Sequence, residues 1–189
     1  MNTLLNTFEQ VRVGYNMALS NINCDEENKK VYRIIESKNI TNTVIQEKLE
    51  ERSFNNNIKD DCLLRKNDII VSTRKPFTVG LYRESGLSDI IASSNFIILR
   101  GLNITKYDPV FLANYLNKNL PIIFKNESTI SKTSLIEDVK LPSVDLLEQK
   151  KYKDIFDLIN KRDSIITNIL EQDNLIINSI LNKLGGTNE

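Results

Sequence analysis

Residues 142 to 184 hold the pattern that most limits what this chain can become: apolar side chains recurring in alternating steps of three and four. Tyr152, Ile155, Ile159, Arg162, Ile166, Ile169, Asp173, Ile176 and Ile180 fall on one line of a helix. Their period of about 3.5 residues is that of the a/d seam of a coiled coil. Neither proline nor glycine interrupts the run between Pro142 and Gly185, and Gly185-Gly186 supplies a stop signal at its end. At about 1.5 Å per residue, a helix over Asp145 to Lys183 is roughly 58 Å long. A solitary domain has little use for so long a helix with an apolar seam, so the pattern predicts a partner. Leu158, Ile165, Leu170, Leu175, Ile177 and Leu181 widen the stripe beyond the seam and suggest that more than two surfaces are covered.

Two polar residues, Arg162 and Asp173, interrupt the seam. In a parallel homodimer each would face its own copy, an unfavourable pairing of like charges. In an antiparallel pair centred near Thr167-Asn168, Arg162 of each helix instead meets Asp173 of the other. Such pairs fix register more than they add stability. The alternative is that both side chains reach out to solvent and specify nothing.

The rest of the chain is long enough for one ordinary domain, and its 40% hydrophobic content is that of a folded soluble protein. Its apolar runs fall short of the roughly 18 residues that span a bilayer. The N-terminal Met-Asn-Thr-Leu-Leu-Asn-Thr-Phe-Glu-Gln lacks the features of a secretory signal, so a cytoplasmic protein without membrane contact is expected. Cys24 and Cys62 are isolated and read as free thiols. With 0 histidines, His-based triads and His-ligated metal sites are excluded. No cofactor and no metal site is expected. The formal net charge is 0, with 19 Lys and Arg against 17 Asp and Glu in residues 1–140 and 6 against 8 in residues 141–189. That slight basic bias permits nucleic-acid binding without demanding it.

Along the domain, Thr3–Val13 reads as a short helix or strand and Val31–Ile35 as a strand. Thr43–Arg52 reads as a helix and Phe54–Ile58 as a loop. Asn67-Asp68 makes a turn before a strand at Ile69–Ser72. Ile90–Arg100 is β-rich, and Asp108-Pro109 starts a helix over Val110–Lys118 with Asp108 at the N-cap. Ser128–Ser134 is a hydroxyl-rich loop, Ile136–Leu141 a last strand, and Pro142 the boundary. The fold class is α/β (α+β): a mixed domain over residues 1–142 and one long C-terminal coiled-coil helix over residues 143–189.

Several segments, taken in order, resemble a known family. Leu141-Pro-Ser-Val-Asp-Leu-Leu-Glu-Gln-Lys-Lys151 is similar to the (I/L)P-x-P-x-x-x-E-Q-x-x-I start of the spacer helix in specificity subunits of type I restriction-modification systems. Leu64-Arg-Lys-Asn-Asp-Ile-Ile-Val-Ser-Thr-Arg74 resembles that family's L-x-x-G-D-I-L-x-S-x-x-G segment. Ala92-Ser-Ser-Asn-Phe-Ile-Ile-Leu99 resembles its A-x-x-N-x-x-x-L strand. Asp108-Pro-Val-Phe-Leu-Ala-Asn-Tyr-Leu116 resembles its D-P-x-F-L-x-Y-x-L helix, and Ser128-Thr-Ile-Ser-Lys132 falls at a polar loop. The likeness covers about residues 30 to 184; Asn67 stands where the family has a turn glycine, Lys75 near an expected glycine, and Val144 at the second proline.

The resemblance implies a target-recognition domain that reads one half of a bipartite site in double-stranded DNA, with methyltransferase and restriction subunits as partners. Family subunits carry two such domains and two antiparallel helices; this sequence matches one of each. A half-subunit acting as a homodimer is therefore implied, non-catalytic because methylation and cleavage belong to the partner subunits. Consistently, the sequence has no Asn-Pro-Pro-Tyr-like motif, no Gly-rich cofactor loop and no P-loop. Base readout calls for Arg, Lys or Asn, and phosphate contact for Ser, Thr or Lys. Loops of the matched region offer Lys38, Asn39, Ser72, Thr73, Arg74, Lys75, Ser128, Thr129 and Lys132, with Arg74-Lys75 foremost. Two rivals remain at this stage. One is an assembly module that pairs with a full-length specificity subunit without touching DNA. The other is a Mg-dependent nuclease built on Glu36 and Lys38 with Asp25, Glu26 and Glu27 upstream.

Overall fold

The computed structural model describes residues 4, 6–17, 29–46, 48–55, 58–75, 77–83, 88–126, 134, 136 and 139–185. The chain divides into two compact units, Met1–Lys153 and Asp154–Glu189. No described helix is long and apolar enough to cross a membrane.

The first unit is built on two sheets. Strands β1 (Gln10–Val13), β3 (Ile40–Thr41), β4 (Val44–Ile45), β6 (Ile69–Ser72), β7 (Val79–Leu81) and β9 (Phe96–Arg100) form one, in the order β1-β9-β6-β7-β4-β3. Strands β2 (Lys29–Ile35), β5 (Glu50–Asn55) and β8 (Ile90–Ala92) form the other, in the order β5-β2-β8. Strand β2 pairs antiparallel with β5 and parallel with β8, and β4 pairs parallel with β7; the other pairings are antiparallel. Strands β6, β8 and β9 are buried at every position, which is why they read as continuous Ile-Ile-Val, Ile-Ile-Ala and Phe-Ile-Ile-Leu runs. Alternation along β2 and β8 sends side chains into two cores. Ile35, Ile90 and Ala92 join Ile70, Phe96 and Ile98 in one, while Tyr32, Ile34 and Ile91 join Phe54 and Ile58 in the other.

The strand reading of Val31–Ile35 and Ile69–Ser72 matches the structure, with β2 extending back to Lys29. The expected helix over Thr43–Arg52 does not form; β4 and β5 occupy it instead. Its first half is rich in β-branched Thr43, Val44 and Ile45, which fit a pleated surface better than a helix. Asn42 and Thr43 carry φ of 48° and 69°, the left-handed pair that closes a two-residue hairpin between β3 and β4. Phe54 and Asn55, read as loop, complete β5, where Phe54 stacks edge-on against Tyr15 and Tyr32. The predicted strand over Ile136–Leu141 is also corrected: Ser134 and Ile136 are helical.

Helix α1 runs from Pro109 to Asn126, twice the length of the predicted Val110–Lys118. Asp108 is its N-cap, its Oδ1 accepting the Val110 and Phe111 amides at 2.9 and 3.1 Å. The helix continues through Pro121 because Leu112, Leu116, Leu120 and Phe124 bury one face at four-residue spacing. Burial of that stripe offsets the roughly 3 kcal/mol that an interior proline costs.

Arg100, at the end of β9, is one of the few buried charges, and Asp68 beside it is buried as well. Its Nη2 lies 2.6 Å from the Asp68 carboxylate, to which Nε also donates, while Nη1 donates to the Asp61 carbonyl and Nη2 to the Leu63 carbonyl. Asp68 in turn accepts the Arg65 amide at 2.9 Å. The 61–68 connection thus has its polar groups answered by one guanidinium, as burial requires.

Helix α2 spans Leu146–Gly185, 40 residues or about 60 Å. Asp145 caps it, accepting the Glu148 amide at 2.9 Å. Its first turns belong to the first unit and are held there by Gln149, which has no exposed surface. The Gln149 Oε1 accepts the Asp108 amide at 2.9 Å, and its Nε2 donates to the carbonyls of Lys106 and Val144 at 3.0 and 2.8 Å. Phe111 of α1 and Tyr152 of α2 meet 6.0 Å apart at their ring centres.

Candidate nucleic-acid interface

The first group of candidates lies where β2 ends. Ser37–Asn39 form a 3-10 turn between β2 and β3. Asn39 is buried, and its amide is committed to the backbone: Oδ1 accepts the Glu36 N–H at 2.9 Å and Nδ2 donates to the Lys48 carbonyl at 3.4 Å. Lys38 is exposed over 70% of its side chain, with Nζ 2.6 Å from a Glu36 carboxylate oxygen. The hydrogen bond to Glu36 raises the Lys38 pKa above its ordinary value, so this ammonium stays charged through the neutral range. Glu50 and Arg52 pair nearby at 2.6 Å, and that hydrogen bond lowers the Glu50 pKa.

The second group lies where β6 ends. Ser72 is fully buried; its amide donates to the Thr78 carbonyl at 2.8 Å, closing the connection to β7. Thr73 is tied to the Ser93–Asn95 turn, its amide and its hydroxyl both donating to the Asn95 carbonyl at 2.8 and 2.9 Å. Arg74 and Lys75 are exposed. The two groups come together through Ser37 and Ser72, whose hydroxyl oxygens lie 3.2 Å apart.

Six of the sequence candidates therefore sort into two kinds. Asn39, Ser72 and Thr73 spend their polar atoms inside the protein; Arg74 and Lys75 are exposed, and so is Lys38, whose ammonium is paired with Glu36 at the surface. Ser128, Thr129 and Lys132 lie outside the described residues. They follow the end of α1, where Phe124 packs edge-on against Phe77 of the β6–β7 loop at 5.3 Å. Sequence reasoning missed Ser37 and the Ser93–Asn95 turn. A lone hydroxyl between Glu36 and Lys38 carries no signal, and Ala92–Leu99 reads as strand throughout unless Asn95 is taken as a turn residue.

The nuclease residues gain no support from this arrangement. Glu36 and Lys38 neutralise each other, and Asp25, Glu26 and Glu27 lie outside the described residues. Among the described residues no three Asp, Glu, Cys or His side chains gather where a metal could bind.

Along α2 the apolar seam residues are 38–57% exposed, from Ile159 to Ile176. Leu158, Ile165, Leu170, Leu175, Ile177 and Leu181 are exposed beside them. Arg162 turns to its neighbour, Nη2 lying 2.6 Å from Asp163.

No protein-family model and no curated protein sequence matches the chain. Solved structures do. A chain from a study of the complex assembly and conformational transition of the type I R-M system superposes with a TM-score of 0.61 at 15% identity, over 90% of this chain and 40% of that one. The HsdS subunit from Thermoanaerobacter tengcongensis superposes with a TM-score of 0.58 at 14% identity, over 88% of this chain and 38% of that one. The chain thus spans about two fifths of the length of the structures it matches. It has the α+β fold of type I R-M specificity subunits, at the size of half a subunit.

Proposed function

We propose that this chain is a DNA-recognition component of a type I restriction-modification complex, in which residues 1–142 read one half of a bipartite target and residues 143–189 space and pair two such halves. The observation that carries this reading is the meeting of the two basic loops. Lys38, Arg74 and Lys75 stand exposed on turns that buried Asn39 and Ser72 and half-buried Thr73 hold in place, on a fold shared with HsdS. Arg74 suits bidentate contact with guanine in the major groove, and Lys38 and Lys75 suit phosphates. In this role the chain carries no catalytic group of its own; methyltransferase and restriction subunits supply the chemistry.

The exposed seam of α2 favours a second copy as the pairing partner. In an antiparallel register about Thr167-Asn168, Ile155 faces Ile180, Ile159 faces Ile176, Ile166 faces Ile169, and Arg162 faces Asp173 of the second copy. Every seam residue from 155 to 180 is then matched, like with like or charge with opposite charge.

Binding of a labelled duplex pool in the presence of the methyltransferase subunit tests the interface. Arg74→Ala is expected to weaken binding by about 1–3 kcal/mol and to relax preference at one base pair. Loss of affinity that is uniform across sequences would make Arg74 a phosphate contact, and no binding by the unaltered chain in that complex would leave the assembly-module reading in place.

A further inference from the structure

The Ser72 hydroxyl has three polar neighbours. Its Oγ lies 2.7 Å from the Arg74 carbonyl oxygen, 3.3 Å from the Arg74 amide nitrogen and 3.2 Å from the Ser37 hydroxyl oxygen. A hydroxyl offers one proton and two lone pairs. The carbonyl can only accept, so it takes the Ser72 proton; the amide can only donate, so it takes one lone pair. The second lone pair is left for Ser37, whose hydroxyl must be the donor. The protons therefore run one way, from Ser37 to Ser72 and from Ser72 to Arg74, and every position on the buried oxygen is filled.

The two ends of this chain are the two basic loops. Ser37 stands between Glu36 and Lys38 on the turn that leads from β2 of one sheet to β3 of the other; Ser72 closes β6, 35 residues away. Each loop is braced on its own far side, the first by Asn39 against Lys48, the second by Thr73 against Asn95. The serine pair ties one braced loop to the other.

We propose that Ser37 is a positioning residue that locks the Lys38 turn to the Arg74 loop, so that the two cations meet DNA as one rigid unit. This rests on the DNA-reading role proposed above. Ser37 carries no charge, so it contributes geometry and not phosphate attraction. Its loss should blur the choice between bases and leave the electrostatic part of binding intact.

The test uses the full chain with Ser37→Ala and Ser37→Thr, and two readouts. Amide hydrogen exchange without DNA reads the link itself: Ser37→Ala is expected to speed exchange of the Arg74 amide about three- to fivefold while the melting temperature falls by no more than a few degrees, and Ser37→Thr to keep it slow. Unchanged exchange at Arg74 in Ser37→Ala overturns the link whether or not DNA binds. For the second readout, the unaltered chain selects a duplex from a random library with the methyltransferase subunit present. Ser37→Ala should then lose about fivefold in selectivity against single-base variants at the position that Arg74→Ala relaxes, with the slope of affinity on salt preserved and Thr restoring selectivity. A shallower salt slope or equal loss on every duplex overturns the positioning role. Should the unaltered chain select no duplex, the DNA-reading role fails, and the exchange result still decides the link.

Discussion

Asn67 sits at φ 68° on the turn into β6, where the resembling family has glycine. Asparagine tolerates the left-handed region better than any other side chain of its size, so the turn survives the substitution. Asn67→Ala is expected to lower stability by about 1 kcal/mol, and Asn67→Gly to leave it within a few tenths, as read by urea denaturation. The same contrast between residue type and surroundings runs through the interface. Residue types put Asn39, Ser72 and Thr73 among the same candidates as Lys38, Arg74 and Lys75, with Arg74-Lys75 foremost. Which of them are held inside depends on groups that arrive from other parts of the sequence: the Lys48 carbonyl for Asn39, the Asn95 carbonyl for Thr73, the Ser37 hydroxyl for Ser72. No local pattern encodes those meetings. The charged residues were legible because a solvated cation needs no partner to be recognised.

At the scale of elements, sequence periodicity worked where one rule dominated. The seam of α2 obeys a single period over many turns, and the Asp108 cap and Asp145 cap announce both helices. It failed over Thr43–Arg52, where two short strands and a left-handed hairpin turn mimic a helical mixture of apolar and polar residues. Gln149 is the element-level counterpart of Asn39: a polar side chain in a charged run that becomes a buried three-way clamp between the α1 cap, the 106–108 connection and the start of α2. Gln149→Leu strands those backbone groups and is expected to cost about 1–3 kcal/mol by denaturant unfolding, whereas Lys150→Leu, on the exposed side, should cost almost nothing. On the pairing face, Arg162→Asp sets like charges opposite each other in the antiparallel register. It is expected to raise the dimer dissociation constant about tenfold or more in analytical ultracentrifugation, and adding Asp173→Arg should recover most of the loss. A double variant that remains a monomer would rule that register out.

The whole molecule joins a domain with the fold of HsdS subunits to a long helix whose apolar seam is exposed. The chain covers about two fifths of the structures it matches, and a second copy would supply a second reading domain and a second helix. Two identical halves related by an antiparallel helix pair are related by a two-fold axis, and the DNA they read must share it. The domain order and the long helix were visible in the sequence because they rest on motif order and periodicity. The bases that the proposed interface would read were not, because they would depend on how Lys38, Arg74 and Lys75 are aimed and on the shape of the DNA. The most direct measurement is methylome sequencing of cells that express this chain as the sole specificity component with its methyltransferase. Methylation is expected at a two-fold symmetric motif of two inverted half-sites separated by a fixed gap. Methylation at an asymmetric or uninterrupted motif would contradict the paired-half architecture, and no methylation dependent on the chain would contradict its role in DNA recognition.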